Sequence, residues 1–237
     1  VKATPAGRDL SCTFAEDGRK QGVRLGFYDS LIDWPRDDYP GVYRNGPDRY
    51  RIADEPKRRQ HFVDFNFAQL RELNNTWKPD LYWFDGDWEH SAEEWHAAEI
   101  VAMLRKTNPD VVINSRIQGH GDYDTPELSV PVVGPTSKWW ETCMTMNDSW
   151  GYRTDDTDYK SPMTLLRMLV DCIRLGGNLL LDIGPRADGT IPDEQVAILK
   201  EFGRWTSKHA EAIYDTRAGI PAGHVAGYTA LNLPGDV

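Results

Sequence analysis

Asp80-Leu81-Tyr82-Trp83-Phe84-Asp85-Gly86-Asp87-Trp88-Glu89-His90 is a short apolar run that stops abruptly at a cluster of acids and aromatics. Pro79 bars helix just before it, Tyr82, Trp83 and Phe84 suit a buried pleated segment, and Gly86 supplies a turn as the segment ends. The run therefore reads as a buried strand that opens into a site. Asp85 lies at its carboxyl end, where alternating α/β folds keep their reacting groups. Trp83 and Asp85 are two apart, so on a strand both face the same side.

Working outward, the flanks alternate between helical and strand patterns. Residues 8–20 read as a helix closed by Gly22, and Val23 to Ser30 as a strand, with a Pro-, Gly- and Tyr-rich loop from Asp37 to Asp54. A helix over 57–75 puts Phe62, Phe65, Leu70 and Leu73 on one side and Lys-Arg-Arg-Gln on the other. Ser91 and Glu94 form a capping box, and the helix they start is expected to run through Trp95, Ile100, Val101 and Leu104 to Asn108-Pro109. Strands are expected at Val111–Arg116, Trp139–Met146 and Asn178–Gly184. Helices are expected from Pro162 to Gly176-Gly177 and over 193–209. Five strands separated by helices or long loops imply parallel βα units and an α/β fold. Residues 1–215 read as one such domain, and 216–237 as the start of a C-terminal β segment.

A chain of 237 residues with 40% hydrophobic and 27% charged residues describes a globular protein. No run of eighteen apolar residues suggests a membrane span, and Val1-Lys2-Ala3-Thr4-Pro5-Ala6-Gly7 does not read as a signal peptide. The sequence assigns no compartment. A net charge of −10 argues against a nucleic-acid backbone as partner and for a neutral or cationic substrate. Cys12, Cys143 and Cys172 have neither disulfide-framework nor zinc spacing and read as packed thiols. His90 and His120 lack a second His or Cys at ligand spacing, so no metal is expected. Gly184 to Thr190 is Gly-rich without a P-loop or GxGxxG pattern, so no phosphate cradle and no cofactor are expected.

Two carboxylates at one site are the minimum for splitting a glycosidic bond: one attacks or activates water and the other protonates the leaving oxygen. Asp85 is the candidate for the first. For the second, the loop after the third strand offers Asp122, Asp124 and Glu127, and Glu141 is a further contender. Arg116 is suited to hold the attacking carboxylate ionised or to bind a sugar hydroxyl. Asp87 and Glu89 suit first-turn acids ahead of a helix.

Three blocks sharpen this reading: Trp83 to Glu89, Trp140-Glu141-Thr142-Cys143-Met144-Thr145-Met146-Asn147-Asp148-Ser149-Trp150-Gly151-Tyr152, and Gly177 to Pro192. In that order they closely resemble blocks of the α-L-fucosidases of glycoside hydrolase family 29. The resemblance implies a (β/α)8-barrel-like catalytic domain, incomplete here at about five strands, and retaining hydrolysis of terminal α-L-fucose from fucosylated glycans. It also implies Asp85 as nucleophile and Glu127 as acid/base, with Glu141 as second choice. Trp83, Arg116 and Trp150, with Tyr28, match positions lining the fucose pocket. Family members begin with two further strands whose histidines bind fucose hydroxyls, and Asp29 departs from the aromatic or His that commonly follows that Tyr. An incomplete barrel is expected to be completed by a homo-oligomer. The alternative reading is a shortened, inactive fucosidase-like domain that binds glycans or serves assembly.

Overall fold

A computed structural model describes residues 7–40, 50–221, 224 and 226–232. The start of the chain, where no leader is read, the middle of the 37–54 loop and parts of the tail lie outside the described residues. The chain divides into two compact units, Val1–Asp122 and Tyr123–Val237.

In the first unit α1 (Leu10–Lys20) starts at Asp9, whose carboxylate accepts from Cys12 N at 2.9 Å. It is followed by Gly22 at φ 73, a left-handed turn that glycine adopts freely. Then come β1 (Gly26–Ser30), α2 (Pro56–Trp77), β2 (Leu81–Asp85), α3 (Ala92–Trp95), α4 (Ala97–Thr107) and β3 (Val112–Ile113). The three strands form one sheet in the order β1-β2-β3, all parallel, with Tyr28 opposite Trp83, Ser30 opposite Asp85 and Tyr82 opposite Ile113. β2 alternates as its pattern requires: Tyr82 and Phe84 are fully buried, stacked at 5.6 Å, and join Leu70, Ile100 and Leu104 in the core, while Trp83 and Asp85 face the other way, half-buried. Each such large apolar side chain contributes about 1.5–3 kcal/mol on burial.

Three sequence expectations change here. The basic side of α2 is not wholly solvated, because Arg59 is buried beneath the rings of Phe62 and Trp95, at 5.3 and 5.5 Å, and donates to the Glu94 carbonyl. Ring faces and a carbonyl compensate its desolvation, which helical periodicity cannot reveal. The capping box is present, with Glu94 N on Ser91 Oγ at 3.2 Å and Ser91 N on Glu94 Oε2 at 3.0 Å, yet the expected single helix breaks at His96, φ 55. Trp95 pins the first turn to the strand end through Nε1 on the Asp87 carbonyl at 2.8 Å. Ala97, Ile100, Val101 and Leu104 then fill the core from the second helix. The third strand is also shorter than expected, since beyond Ile113 the buried Asn114 side chain replaces the ladder. Its amide donates to Phe84 O and accepts from Phe84 N, both at 2.9 Å. The chain returns so close that a Cβ on Gly121 would stand 2.0 Å from Asn114 O.

The second unit contains β4 (Glu141–Thr145), α5 (Pro162–Arg174), β5 (Asn178–Asp182), α6 (Asp193–Lys208), β6 (Thr216–Ala218) and β7 (Ala230–Asn232). β4 and β5 are parallel, with Thr145 opposite Asp182, and the segment 124–128 runs beside β4 through parallel bridges Asp124–Trp140 and Glu127–Cys143. α5 is capped by Ser161 Oγ, which accepts from Thr164 N at 3.1 Å, has Pro162 in its first turn and ends before Gly176 at φ 77. Met146, Leu165 and Ile198 form its core. β6 and β7 pair antiparallel, the only β hairpin-like pairing among the described residues. Strands thus form at the five expected places, parallel within each unit's own sheet and with the third cut to two residues, and the fold class is α/β. Among the described residues no helix is long and apolar enough to cross a membrane.

Candidate active site

The strand end of β2 gathers the first-unit residues singled out in the sequence. Tyr28 OH donates to Asp85 Oδ2 at 2.5 Å, and Arg116 Nη1 donates to Asp85 Oδ1 at 3.0 Å. The Arg116 and Asp85 side chains are 16% and 21% exposed, so the ion pair is partly desolvated yet reachable from solvent. The Arg116 guanidinium lies 5.4 Å from the Trp83 ring. Tyr28 and Trp83 pair across β1 and β2, so they share a face with Asp85. The strand end itself is held by Leu31 N on the Asp85 carbonyl at 2.9 Å. Gly86 turns the chain at φ 83, where a Cβ would stand 2.5 Å from Ile32. An ionised carboxylate has about four acceptor positions; one donor on each oxygen orients the group without saturating it.

The acids after Asp85 brace the site. Asp87 Oδ2 accepts from Gln118 N at 2.7 Å, and Glu89 accepts from Trp34 Nε1 at 3.1 Å and from the Tyr39 hydroxyl. Sequence reading missed Trp34 and Tyr39, whose signal is only that they follow β1 as Asp87 and Glu89 follow β2. Asp122 is spent on structure: its Oδ2 accepts from Ile113 N at 2.8 Å and its Oδ1 from Arg105 at 2.5 Å. His90 packs edge-on to Trp95 at 5.0 Å, and burial together with Arg59 pushes its pKa down to about 4, so it is a neutral core ring. Cys143 and Cys172 are buried, with burial pushing the Cys172 thiol up to about 12, whereas Cys12 is half-exposed rather than packed. No group of three or more His, Cys, Asp or Glu among the described residues is placed to hold a metal.

In the second unit Glu127 is exposed, and the backbone around it is fixed by Leu128 N on Cys143 O at 3.0 Å and Cys143 N on Pro126 O at 3.1 Å. The parallel bridge gives Glu127 the face of Cys143, which is also that of Glu141. Glu141 is half-buried at the amino end of β4, and burial raises its pKa. Trp150, 43% exposed, sits on the loop after β4. That loop is tethered by Lys160 Nζ on the Asn147 carbonyl at 2.7 Å and by Asp148 N on Asp156 Oδ2 at 3.2 Å.

Parallel βα units with a carboxylate at a strand end, gripped by a phenol and a guanidinium beside an indole, define the class as α/β proteins with a carboxylate-centred site. The chain belongs to the α-L-fucosidase family, whose model matches residues 1–211. It is 33% identical over 223 residues to a tissue alpha-L-fucosidase of Bos taurus, an alignment covering 89% of this chain and 45% of that protein. The chain therefore spans about half the length of such relatives. Alpha-L-fucosidase isoenzyme 1 from Paenibacillus thiaminolyticus superposes with a TM-score of 0.82 at 33% identity, covering 97% of this chain and 59% of that one. A GH29 alpha-L-fucosidase from Bacteroides thetaiotaomicron, solved as a trapped covalent intermediate with 2-fluoro-fucosyl fluoride, gives 0.83 at 27% identity, covering 99% and 58%. The parallel βα units are thus of the α/β type expected from the sequence, and these relatives share them over nearly the whole chain.

Proposed function

We propose that this chain forms the catalytic part of a retaining α-L-fucosidase that removes terminal α-L-fucose from fucosylated glycans, with Asp85 as nucleophile and Glu127 as acid/base. The observation behind it is the Asp85 carboxylate at the carboxyl end of β2, one oxygen on Tyr28 and the other on Arg116. In the first step an Asp85 oxygen attacks the anomeric carbon. The bond to the leaving oxygen breaks as Glu127 gives that oxygen its proton, leaving a fucosyl ester on Asp85. In the second step Glu127 takes a proton from water, the water oxygen attacks the same carbon, and fucose departs with its configuration retained. A covalent intermediate trapped in the Bacteroides relative, with a Glu-to-Gln variant, supports both the ester and a glutamate acid/base.

Arg116 and Tyr28 hold the nucleophile in its attacking orientation, and Trp83 and Trp150 supply apolar walls for the sugar ring. Placement favours Glu127 over Glu141, because Glu141 opens β4 at the amino end, away from the strand ends where α/β sites gather. Its raised pKa follows from burial alone. A chromogenic α-L-fucoside tests the assignment: Asp85→Ala should lose at least ~10³-fold in kcat, and equal rates for the two proteins would overturn it. With azide and an activated substrate, Glu127→Ala should regain turnover and release the α-fucosyl azide, since azide enters on the face water uses. If Glu141→Ala alone behaves so, Glu141 is the acid/base.

A further inference from the structure

Two exposed indoles stand on the segments that leave the neighbouring strands β1 and β2. Trp34, on the segment after β1, is 48% exposed, and Trp88, three residues beyond Asp85, is 66% exposed. Glu89 links them: it follows Trp88 in the same short 3-10 turn, Asp87–Glu89, and its carboxylate accepts from Trp34 Nε1 at 3.1 and 3.4 Å. Its other donor is the hydroxyl of Tyr39, fully buried and edge-on to Phe62 at 5.1 Å. The stretch between Trp34 and Tyr39 is fixed in turn. Arg36 grips Asp38 through two bonds of 2.8 and 2.7 Å, and Tyr50 OH donates to the Asp38 carbonyl at 2.6 Å.

Trp34, held through its N–H on Glu89, has already lost rotamer freedom in folding, so a flat apolar partner gains contact with it at little ordering cost. The half-buried carboxylate retains acceptor positions beyond those used by its two donors. Apolar faces beside a fixed hydrogen-bond acceptor match a neutral pyranose, whose ring has an apolar face and a rim of hydroxyl donors. The net charge of −10 disfavours an anionic ligand. We propose that Trp34, Trp88 and Glu89 form a shelf that binds the neutral pyranose to which fucose is attached, and that they thereby select among fucosylated glycans. Its placement next to the fucose rests on the reading of Asp85 given above; the binding itself does not.

The test separates the two. Wild type is titrated with lactose and with N-acetyllactosamine, neither of which contains fucose, and followed by intrinsic tryptophan fluorescence and calorimetry. Saturable binding is expected, weakened about tenfold in Trp34→Ala and in Trp88→Ala. Trp88 is so exposed that its replacement leaves the core untouched, and Trp34→Phe keeps a ring while losing the N–H. The ratio of kcat/KM for a fucosylated lactose to that for an aryl fucoside is expected to fall about tenfold in Trp88→Ala. No saturable signal from either sugar, or an unchanged ratio, would overturn the shelf. Sugar binding by a wild type that cleaves no fucoside would instead remove the catalytic reading and leave the shelf standing.

Discussion

Asp85 and Asp29 sit on neighbouring strands of one sheet, on its opposite faces, and meet opposite surroundings. Asp85 shares its face with Tyr28 and Trp83 and has a donor on each oxygen. Asp29 pairs with Phe84 and shares the helix-packed face with Tyr82. Its Oδ1 is buried without a hydrogen-bond partner, as is the Tyr82 hydroxyl. Burial alone lifts the Asp29 pKa from its ordinary 3.8 to about 7, and burial with the Asp29 charge raises that of Tyr82. The contrast teaches that a carboxyl group in this sheet takes its character from the face it is on. One face brings a phenol and a guanidinium onto the carboxylate, and the other leaves a carboxylate oxygen and a phenol buried without partners.

The largest effect should come from neutralising the unpartnered member. Because the folded state raises the Asp29 pKa, its contribution to stability is fully present below the unfolded value and is lost as pH rises through about 7. Wild-type melting temperature should therefore decline between about pH 4 and pH 7. Asp29→Asn should flatten that slope and stabilise the protein at pH 8 by roughly 2–4 kcal/mol. An unchanged pH profile in calorimetry would mean that Asp29 finds a partner in solution, and the contrast would dissolve. Next, Arg116→Ala strips the charged donor from Asp85 and should lower kcat on an aryl fucoside by about 10²-fold. A loss confined to KM would instead make Arg116 a sugar-binding group. Tyr28→Phe removes one hydroxyl from the same carboxylate and should cost about tenfold in kcat with the fold intact, as expected for a hydrogen bond to a charged group. The smallest change is Tyr82→Phe. Deleting a buried hydroxyl that has no partner should leave stability unchanged or raise it by about 1 kcal/mol in urea unfolding, whereas a clear loss would show that the hydroxyl is satisfied.

The legible part of the site was the part governed by short-range pattern. Trp83 and Asp85 follow from strand alternation and the Gly86 turn, and Arg116 from its place after a β-branched run. Tyr28 was less obvious, and Trp34 and Tyr39 were invisible, since nothing local marks a ring on an irregular segment as the donor to an acid some fifty positions later. Arg59 reads as a surface cation until three neighbouring groups enclose it. The expected six-residue third strand fails for a related reason: the Asn114 side chain satisfies the very groups of Phe84 that a continuing strand would have paired.

By itself the sequence determined the parallel βα units, the Ser91 cap, the Pro162 helix start and the presence of a carboxylate at the end of β2. Each rests on propensity, spacing or backbone freedom within a few residues. Tertiary structure alone decided which carboxyl groups keep donors and which lose water without replacement. It tied Asp122 to Ile113 and Arg105, left Asp29 uncompensated, and set Asp85 between Tyr28 and Arg116. The physical reason is that desolvation and hydrogen bonding depend on groups brought together from distant stretches of chain, so the same residue type becomes a strut, a strained acid or a candidate nucleophile according to its neighbours in space.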